Sequence, residues 1–314
     1  MQKKTDILTQ ISYLYYIDNF SQQEIAQKLN LSRSKVSRLL QEARDKGIVE
    51  IHIKSSESRS FDLEKKVKDI YDLEDTIVVS TFSMREENIL KAIGKAAANF
   101  LIQYAKDQMT IAFSMGKTLR YVADHVETNK KIDCHIVPIT GGIGHVNPEV
   151  HANEICRRVA EGLGGISYPL YAPAIVANPS LKEAIVEDPM IQKVFRKSLD
   201  AEWTFVSVGN VTASTFVRIG SISQDEANEL KRMGAVGDIA SKFINKDGEI
   251  LDLDIHRRVV GPDFHQIRKK SKVVLVAGTK KKAEVIQASL KGKCADILIT
   301  DEEVAYELIE NAYL

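Results

Sequence analysis

Apolar side chains follow two different periods along this chain, and the change of period divides it. Over residues 6–16, Ile7, Leu8, Ile11, Leu14 and Tyr15 recur at spacings of three and four, the mark of an amphipathic helix. Ser21-Gln22-Gln23-Glu24 then predicts a capped helix start, in which the Ser21 hydroxyl accepts the third amide while the Glu24 carboxylate accepts the cap amide. Ile25, Ala26 and Leu29 follow as its inward stripe. Asn30-Leu31-Ser32 predicts a turn and a new cap. The spacing of Val36, Leu39, Leu40 and Ala43 predicts a third helix over 33–45, with Gly47 as its stop. Next, Val49, Ile51 and Ile53 alternate with Glu50, His52 and Lys54, as in a half-buried strand that starts a wing. Residues 61–73 place Leu63, Val67 and Ile70 on one helical face, which reads as a connecting helix, either a solvent-bridging linker or one that packs on a second subunit. From residue 76 the period shortens. Short β-branched runs at 76–79, 110–113, 135–139, 204–208, 272–277 and 296–300 alternate with helical stretches such as 86–104 and 149–161, a rhythm that predicts a mostly parallel sheet covered on both faces.

Composition narrows the function. At 314 residues and 44% apolar, the chain has the length of about two domains and enough apolar content for packed cores. No apolar run reaches the ~18 residues of a spanning helix, and the first residues lack the apolar stretch of a secretory signal, so the expectation is a cytoplasmic protein with no membrane partner. Cys134, Cys156 and Cys294 are far apart and in no ligand spacing, which predicts buried thiols and no metal, and nothing calls for a cofactor. Basic and acidic residues balance at 43 each, yet residues 1–56 carry a net charge of +3 and the remainder −3. A mildly basic head on a mildly acidic body fits a DNA-reading module joined to one that reads another ligand.

Two short helices joined by a three-residue turn form a helix-turn-helix, whose second helix enters the major groove of DNA. Arg33, Lys35 and Arg38 can reach phosphates or guanine edges, and Ser34, Ser37 and Gln41 are polar readers on the same outward face. Ser21, Gln22 and Ser32, at the two helix starts, complete the candidate DNA-binding set. An ordinary three-helix bundle with a basic surface is the plainer alternative.

In parallel sheets small ligands sit beyond the carboxyl ends of strands, and those turns carry chemistry here. Ser114-Met115-Gly116-Lys117-Thr118 follows one strand and opens a helix, a phosphate-suited turn that lacks the leading glycine of a nucleotide-triphosphate loop. Thr140-Gly141-Gly142-Ile143-Gly144 lacks the spacing of a dinucleotide fingerprint and favours close backbone contact with a small ligand. Gly278-Thr279-Lys280-Lys281-Lys282 brings three cations to another strand-to-helix turn, although such runs are often only solvated loops. Asp238, flanked by glycines, can accept hydrogen bonds from sugar hydroxyls. Service as a general base is an alternative, with no partner visible at an informative spacing.

The segment 21–49 resembles the DNA-binding domain of the SorC family of bacterial sugar regulators, also called the deoxyribonucleoside-regulator type. The series Ser-Met-Gly-Lys-Thr (114–118), Val-Pro-Ile-Thr-Gly-Gly-Ile (137–143), Ala-Val-Gly-Asp-Ile (235–239), Val-Ala-Gly-Thr-Lys-Lys-Lys (276–282) and Leu-Ile-Thr-Asp (298–301) resembles that family's effector domain. The resemblance implies an α/β protein with a winged helix-turn-helix over 1–56. It implies a Rossmann-like, mostly parallel domain over 57–314, similar to ribose-5-phosphate isomerase and glucosamine-6-phosphate deaminase, that binds a phosphorylated sugar and forms a homodimer or homotetramer. By position it implies that Ser114, Gly116, Lys117, Thr118, Gly141, Gly142 and Gly278 border the effector, that Asp238 meets sugar hydroxyls and that Lys282 meets phosphate. Thr279 stands where the family usually has Gly. Thr140 stands where some relatives have Lys, which removes a Schiff base there. The expectation is a transcription regulator, not an enzyme, whose operator affinity follows reversible sugar-phosphate binding. A sugar-phosphate isomerase, deaminase or aldolase with a DNA-binding head, and a constitutive DNA-binding factor with no ligand, are the competing readings.

Overall fold

The computed structural model describes residues 2–49, 61–80, 85–144, 148–214, 217 and 222–312. The chain divides into two compact units, 1–56 and 57–314.

The first unit contains three helices, α1 (Gln2–Tyr16), α2 (Gln22–Lys28) and α3 (Arg33–Asp45). The capping box of α2 is complete: Glu24 N–H donates to Ser21 Oγ at 3.3 Å and Ser21 N–H donates to Glu24 Oε2 at 2.8 Å. Ser32 Oγ accepts the Lys35 amide at 3.2 Å and starts α3. Between the two, Asn30 takes a φ of +51°, which asparagine tolerates better than most residues. The predicted stripes meet in one core of Leu8, Ile11, Ile25, Ala26, Val36, Leu39, Leu40 and Ala43. α1 starts four residues earlier than its apolar period predicts, because no breaker precedes Asp6. The predicted wing strand lies outside the described residues beyond Val49.

In the second unit, strands β1 (Asp75–Val79), β2 (Thr110–Phe113), β3 (His135–Pro138), β4 (Ile166–Ser167), β5 (Trp203–Val206), β9 (Lys272–Val276) and β10 (Ile297–Asp301) form a parallel sheet in the order β1-β10-β9-β5-β2-β3-β4. Successive side chains point to opposite faces, and here both faces are packed. Ile111, Phe113, Phe205, Val274, Val276, Ile297 and Ile299 face helices α5 (Glu86–Tyr104), α6 (Lys117–Ala123) and α7 (Ala152–Leu163). Ala112, Val206, Val273, Leu275 and Leu298 face α4 (Phe61–Tyr71), α11 (Phe264–Lys270), α12 (Ala283–Lys291) and α13 (Glu302–Glu310). A sheet buried on both sides needs apolar residues at every position, which is why these strands read as continuous runs. Helices α8 (Pro179–Glu187), α9 (Pro189–Leu199) and α10 (Gln224–Arg232) complete the described helices.

Three sequence expectations change. α4 is not a solvent-bridging linker, since it packs its apolar face on its own unit: Leu63, Val67 and Tyr71 are buried there, and buried Glu64 accepts the Val78 amide at 3.0 Å. The strand expected over 204–208 breaks at Ser207. Beyond it β6 (Val208–Asn210) joins β7 (Gly237–Ile239) and β8 (Lys242–Ile244) in a separate antiparallel sheet. The helix expected over 149–161 is a 3-10 turn, Pro148–Val150, and then α7, which ends at Gly164 with φ +77°. The three cysteines are buried free thiols.

Candidate functional site

β9, β5 and β2 are neighbours at the middle of the sheet, and the chain leaves their carboxyl ends in three directions. β2 leads to α6 on one face, β9 to α12 on the other, and β5 into the small sheet. A crevice opens where connections part in this way. A cavity of about 300 Å³ lies there, lined by Ser114 to Lys117, by Ser207 to Asn210, by Asp238, Ala240 and Ser241, by Thr279, Lys281 and Lys282, and by Glu86 and Leu90 of α5.

Five of the nine predicted effector residues line this cavity together: Ser114, Gly116, Lys117, Asp238 and Lys282. Gly116 turns the chain with φ +140°, and Lys117 begins α6. Ser114 Oγ and Ser207 Oγ are buried with no hydrogen-bond partner among the described residues, a costly arrangement that a polar ligand relieves. The run of three lysines separates. Lys280 pairs with Glu307 at 2.5 Å and leaves the lining, Lys281 reaches Glu86 at 3.2 Å, and Lys282 Nζ donates to the Val208 carbonyl at 2.7 Å. Asp238 stands opposite Gly209 in the β6–β7 pair, and a Cβ at Gly209 would lie 2.7 Å from Asp238 Oδ1. Burial pushes the Asp238 carboxyl up from 3.8 to about 7, against the opposing pull of the Lys282 ammonium and the Ser241 amide.

The other four predicted residues lie outside the lining, each for a packing reason. Thr118 is buried within α6. Gly141 admits the chain at Ala172 and Pro173, whose carbonyl oxygens a Cβ would meet at 2.4 and 2.5 Å. Gly142 pairs with that segment, donating to Ala172 O at 2.8 Å and accepting from Ala174 N–H at 2.7 Å. At Gly278 a Cβ would lie 2.2 Å from Ile93 Cδ1 and 2.4 Å from Asp301 Oδ2, so this glycine lets α5 and Asp301 close on the turn. Asp301 in turn accepts the Thr279 amide at 2.7 Å. Ser207, Gly209, Asn210 and Ser241 were not foreseen, since the break at Ser207 carries no turn signal. Backbone strain marks the same rim: Ala240, Ser241 and Thr279 have φ of +48°, +67° and +76°.

In the first unit, Arg33, Ser34, Lys35, Ser37, Arg38 and Gln41 are all exposed on α3, as its inward stripe requires. Arg33, Lys35 and Arg38 make no ion pair among the described residues. The Gln41 amide is engaged along its own helix, donating to Asp45 at 2.7 Å and accepting from Arg44 at 2.8 Å. Ser21 and Ser32 are spent on capping, and Gln22 is half-buried at the start of α2.

Residues 55–310 match the "Putative sugar-binding domain" family, and residues 6–46 match region 4 of sigma-70 factors. The chain belongs to the SorC family. SorC-family membership accords with its relatives: the deoxyribonucleoside regulator of Bacillus subtilis is 29% identical over 99% of both chains, and the sorbitol operon regulator of Klebsiella pneumoniae is 26% identical over 99% of this chain and 100% of that one. The crystal structure of the full-length K. pneumoniae sorbitol operon regulator SorC shares the fold, with a TM-score of 0.75 at 24% identity over 97% of this chain and 98% of that chain. These relatives are named as regulators, and this chain carries a helix-turn-helix and a sugar-binding domain. Among the described residues no helix is long and apolar enough to cross a membrane.

Proposed function

We propose that this protein regulates transcription of a carbohydrate-use operon by changing its hold on operator DNA when a phosphorylated sugar binds reversibly in the cavity. The observation that carries the reading is the cavity's division of chemistry. Lys117, Lys281 and Lys282 supply cations for a phosphate, while Asp238 and the unpartnered Ser114 and Ser207 hydroxyls supply partners for a sugar. Arg33, Lys35, Ser37 and Arg38 of α3 contact the DNA, and Ser21, Gln22, Ser32, Ser34 and Gln41 support that contact. The ligand alters DNA affinity to the extent that it binds two arrangements of a dimer or tetramer unequally. The protein works in the cytoplasm, where DNA and sugar phosphates meet.

A melting-temperature screen against sugar phosphates, their dephosphorylated sugars and inorganic phosphate tests the reading. A ligand at 100 times its dissociation constant stabilises the fold by about 2.7 kcal/mol, and the same ligand is expected to shift operator affinity. Stabilisation by no sugar phosphate overturns the proposal. The Asp238 carboxyl at about 7 also suits a general base, which favours a second reading, a sugar-phosphate isomerase or deaminase. Turnover of a stabilising ligand would establish it.

A further inference from the structure

The inward stripe of α5 ends on a carboxylate. Leu90, Ile93, Ala97 and Leu101 recur at spacings of three and four, and all are buried. One more step of four toward the helix start falls on Glu86, which lines the cavity beside Leu90. An acid in the first turn of a helix suits its unpaired amides, and that reason alone would serve for Glu86 and Glu87 equally. The two differ in what they face. Glu87 lies outside the lining, pairing with Lys91 at 3.0 Å along its own helix and accepting from Tyr121 Oη at 3.2 Å. Glu86 instead meets a cation of the cavity, Lys281, at 3.2 Å.

The backbone at both ends of this pair is fixed. Gly278 has no Cβ where one would strike Ile93 Cδ1 at 2.2 Å, so α5 lies directly on the turn that carries the lysines. The Lys281 carbonyl accepts from Asn210 Nδ2 at 2.8 Å, which ties that turn to β6 as well. The Lys281 side chain is 79% exposed and can swing, whereas the chain beneath it is held. A phosphate that enters the cavity must take the Lys281 ammonium from Glu86 or lie beside the Glu86 carboxylate, and like charges a few ångströms apart repel. An exposed ion pair changes an equilibrium by about fivefold at most, so the exchange is permitted and still large enough to measure. We propose that Glu86 is an internal competitor for the effector's phosphate: it occupies Lys281 in the ligand-free chain, yields it on binding, and thereby sets the effector concentration at which the cavity fills. The inference rests on the reading that the cavity takes a phosphorylated sugar.

Calorimetric titration of the full chain with inorganic phosphate and with glucose 6-phosphate, at fixed pH and ionic strength, tests it. Glu86→Gln keeps the shape of the side chain and removes its charge, and is expected to tighten the binding of both by about two- to fivefold. In a chain that also carries Lys281→Ala the same change is expected to gain nothing, because the cation under competition is gone. Glu87→Gln, at the neighbouring acid that does not line the cavity, is expected to change affinity less than Glu86→Gln does. Equal or weaker binding by Glu86→Gln overturns the proposal, weaker binding of glucose 6-phosphate alone pointing to a carboxylate that accepts sugar hydroxyls. A gain that persists without Lys281, or that Glu87→Gln matches, overturns it as well and leaves only the general field of the cavity. Binding of neither probe to any of these chains would bring down the phosphate reading and the inference with it, whereas native binding without the Glu86 effect removes the inference alone.

Discussion

Asp238 holds its proton to about pH 7 in the folded chain against 3.8 for an ordinary aspartate, and the sign of that shift fixes its effect. Between these values the folded state binds the proton more tightly than the unfolded state, so this group makes stability fall as pH rises from about 4 to about 7 and level off above. The melting temperature of Asp238→Asn relative to the native chain is therefore expected to be least favourable near pH 4 and to gain steadily to pH 7. A difference independent of pH would show that the carboxyl is not held in this way. Lys282→Ala removes the ammonium facing both Asp238 and the cavity. It is expected to weaken sugar-phosphate binding by about 1.5 to 3 kcal/mol, roughly ten- to hundredfold, while operator binding without effector persists; calorimetry with the ligand found by the screen measures it. Asp238 and Lys282 were legible because a charged side chain among glycines, or after a strand, has few reasons to be there. Gly141 and Gly278 fall outside the lining because a glycine records only that something comes close, and at these two positions the close atoms belong to the chain itself, while Gly142 pairs its backbone with Ala172 and Ala174. Ser207 and Gly209 left no signal, because only the pairing of two distant segments sets Gly209 against Asp238.

At the scale of elements, α3 keeps its apolar and polar residues on separate faces. Arg38→Ala touches none of the core and is expected to weaken operator binding by about 1 to 3 kcal/mol at fixed salt with an unchanged melting temperature. Val36→Ala, at a fully buried position, is expected to destabilise the three-helix unit itself. Equal operator affinity for Arg38→Ala and the native chain would take α3 out of the groove. Helices α2 and α3 were readable because the capping residues and the inward stripe agree within each segment. The strands of the parallel sheet were readable for the opposite reason, that burial on both faces leaves no alternation and produces plain apolar runs. α4 defeated the reading, since its stripe of Leu63, Val67 and Ile70 fits a surface of this unit as well as one of another. The bend at Ser207 defeated it too, because a β-branched run continues across the junction while the strand changes sheets.

For the whole molecule, a head with a net charge of +3 neutralises few phosphates. Alone it is expected to bind near the non-specific range of ~10⁻⁴ to 10⁻⁶ M at physiological salt, and two heads on one assembly gain from effective concentration on a pseudo-palindrome. Residues 1–56 expressed by themselves should therefore bind operator far more weakly than the full chain in a fluorescence-anisotropy titration; equal affinity would remove assembly from the mechanism. The passage of the chain at Ser207 from the seven-stranded sheet to the small one has a consequence for how such a regulator can diversify. The cations at 117, 281 and 282 stand on turns of the large sheet, whereas Gly209, Asn210, Asp238 and Ser241 stand on or beside the small sheet, whose strands span only three residues each. One cavity is thus assembled from two halves, turns of the large sheet and the short strands of the small one. If the cavity takes the sugar phosphate proposed for it, transplanting residues 208–210 and 237–244 from a relative should change which sugar binds while the lysines at 117, 281 and 282 and the parallel core stay as they are.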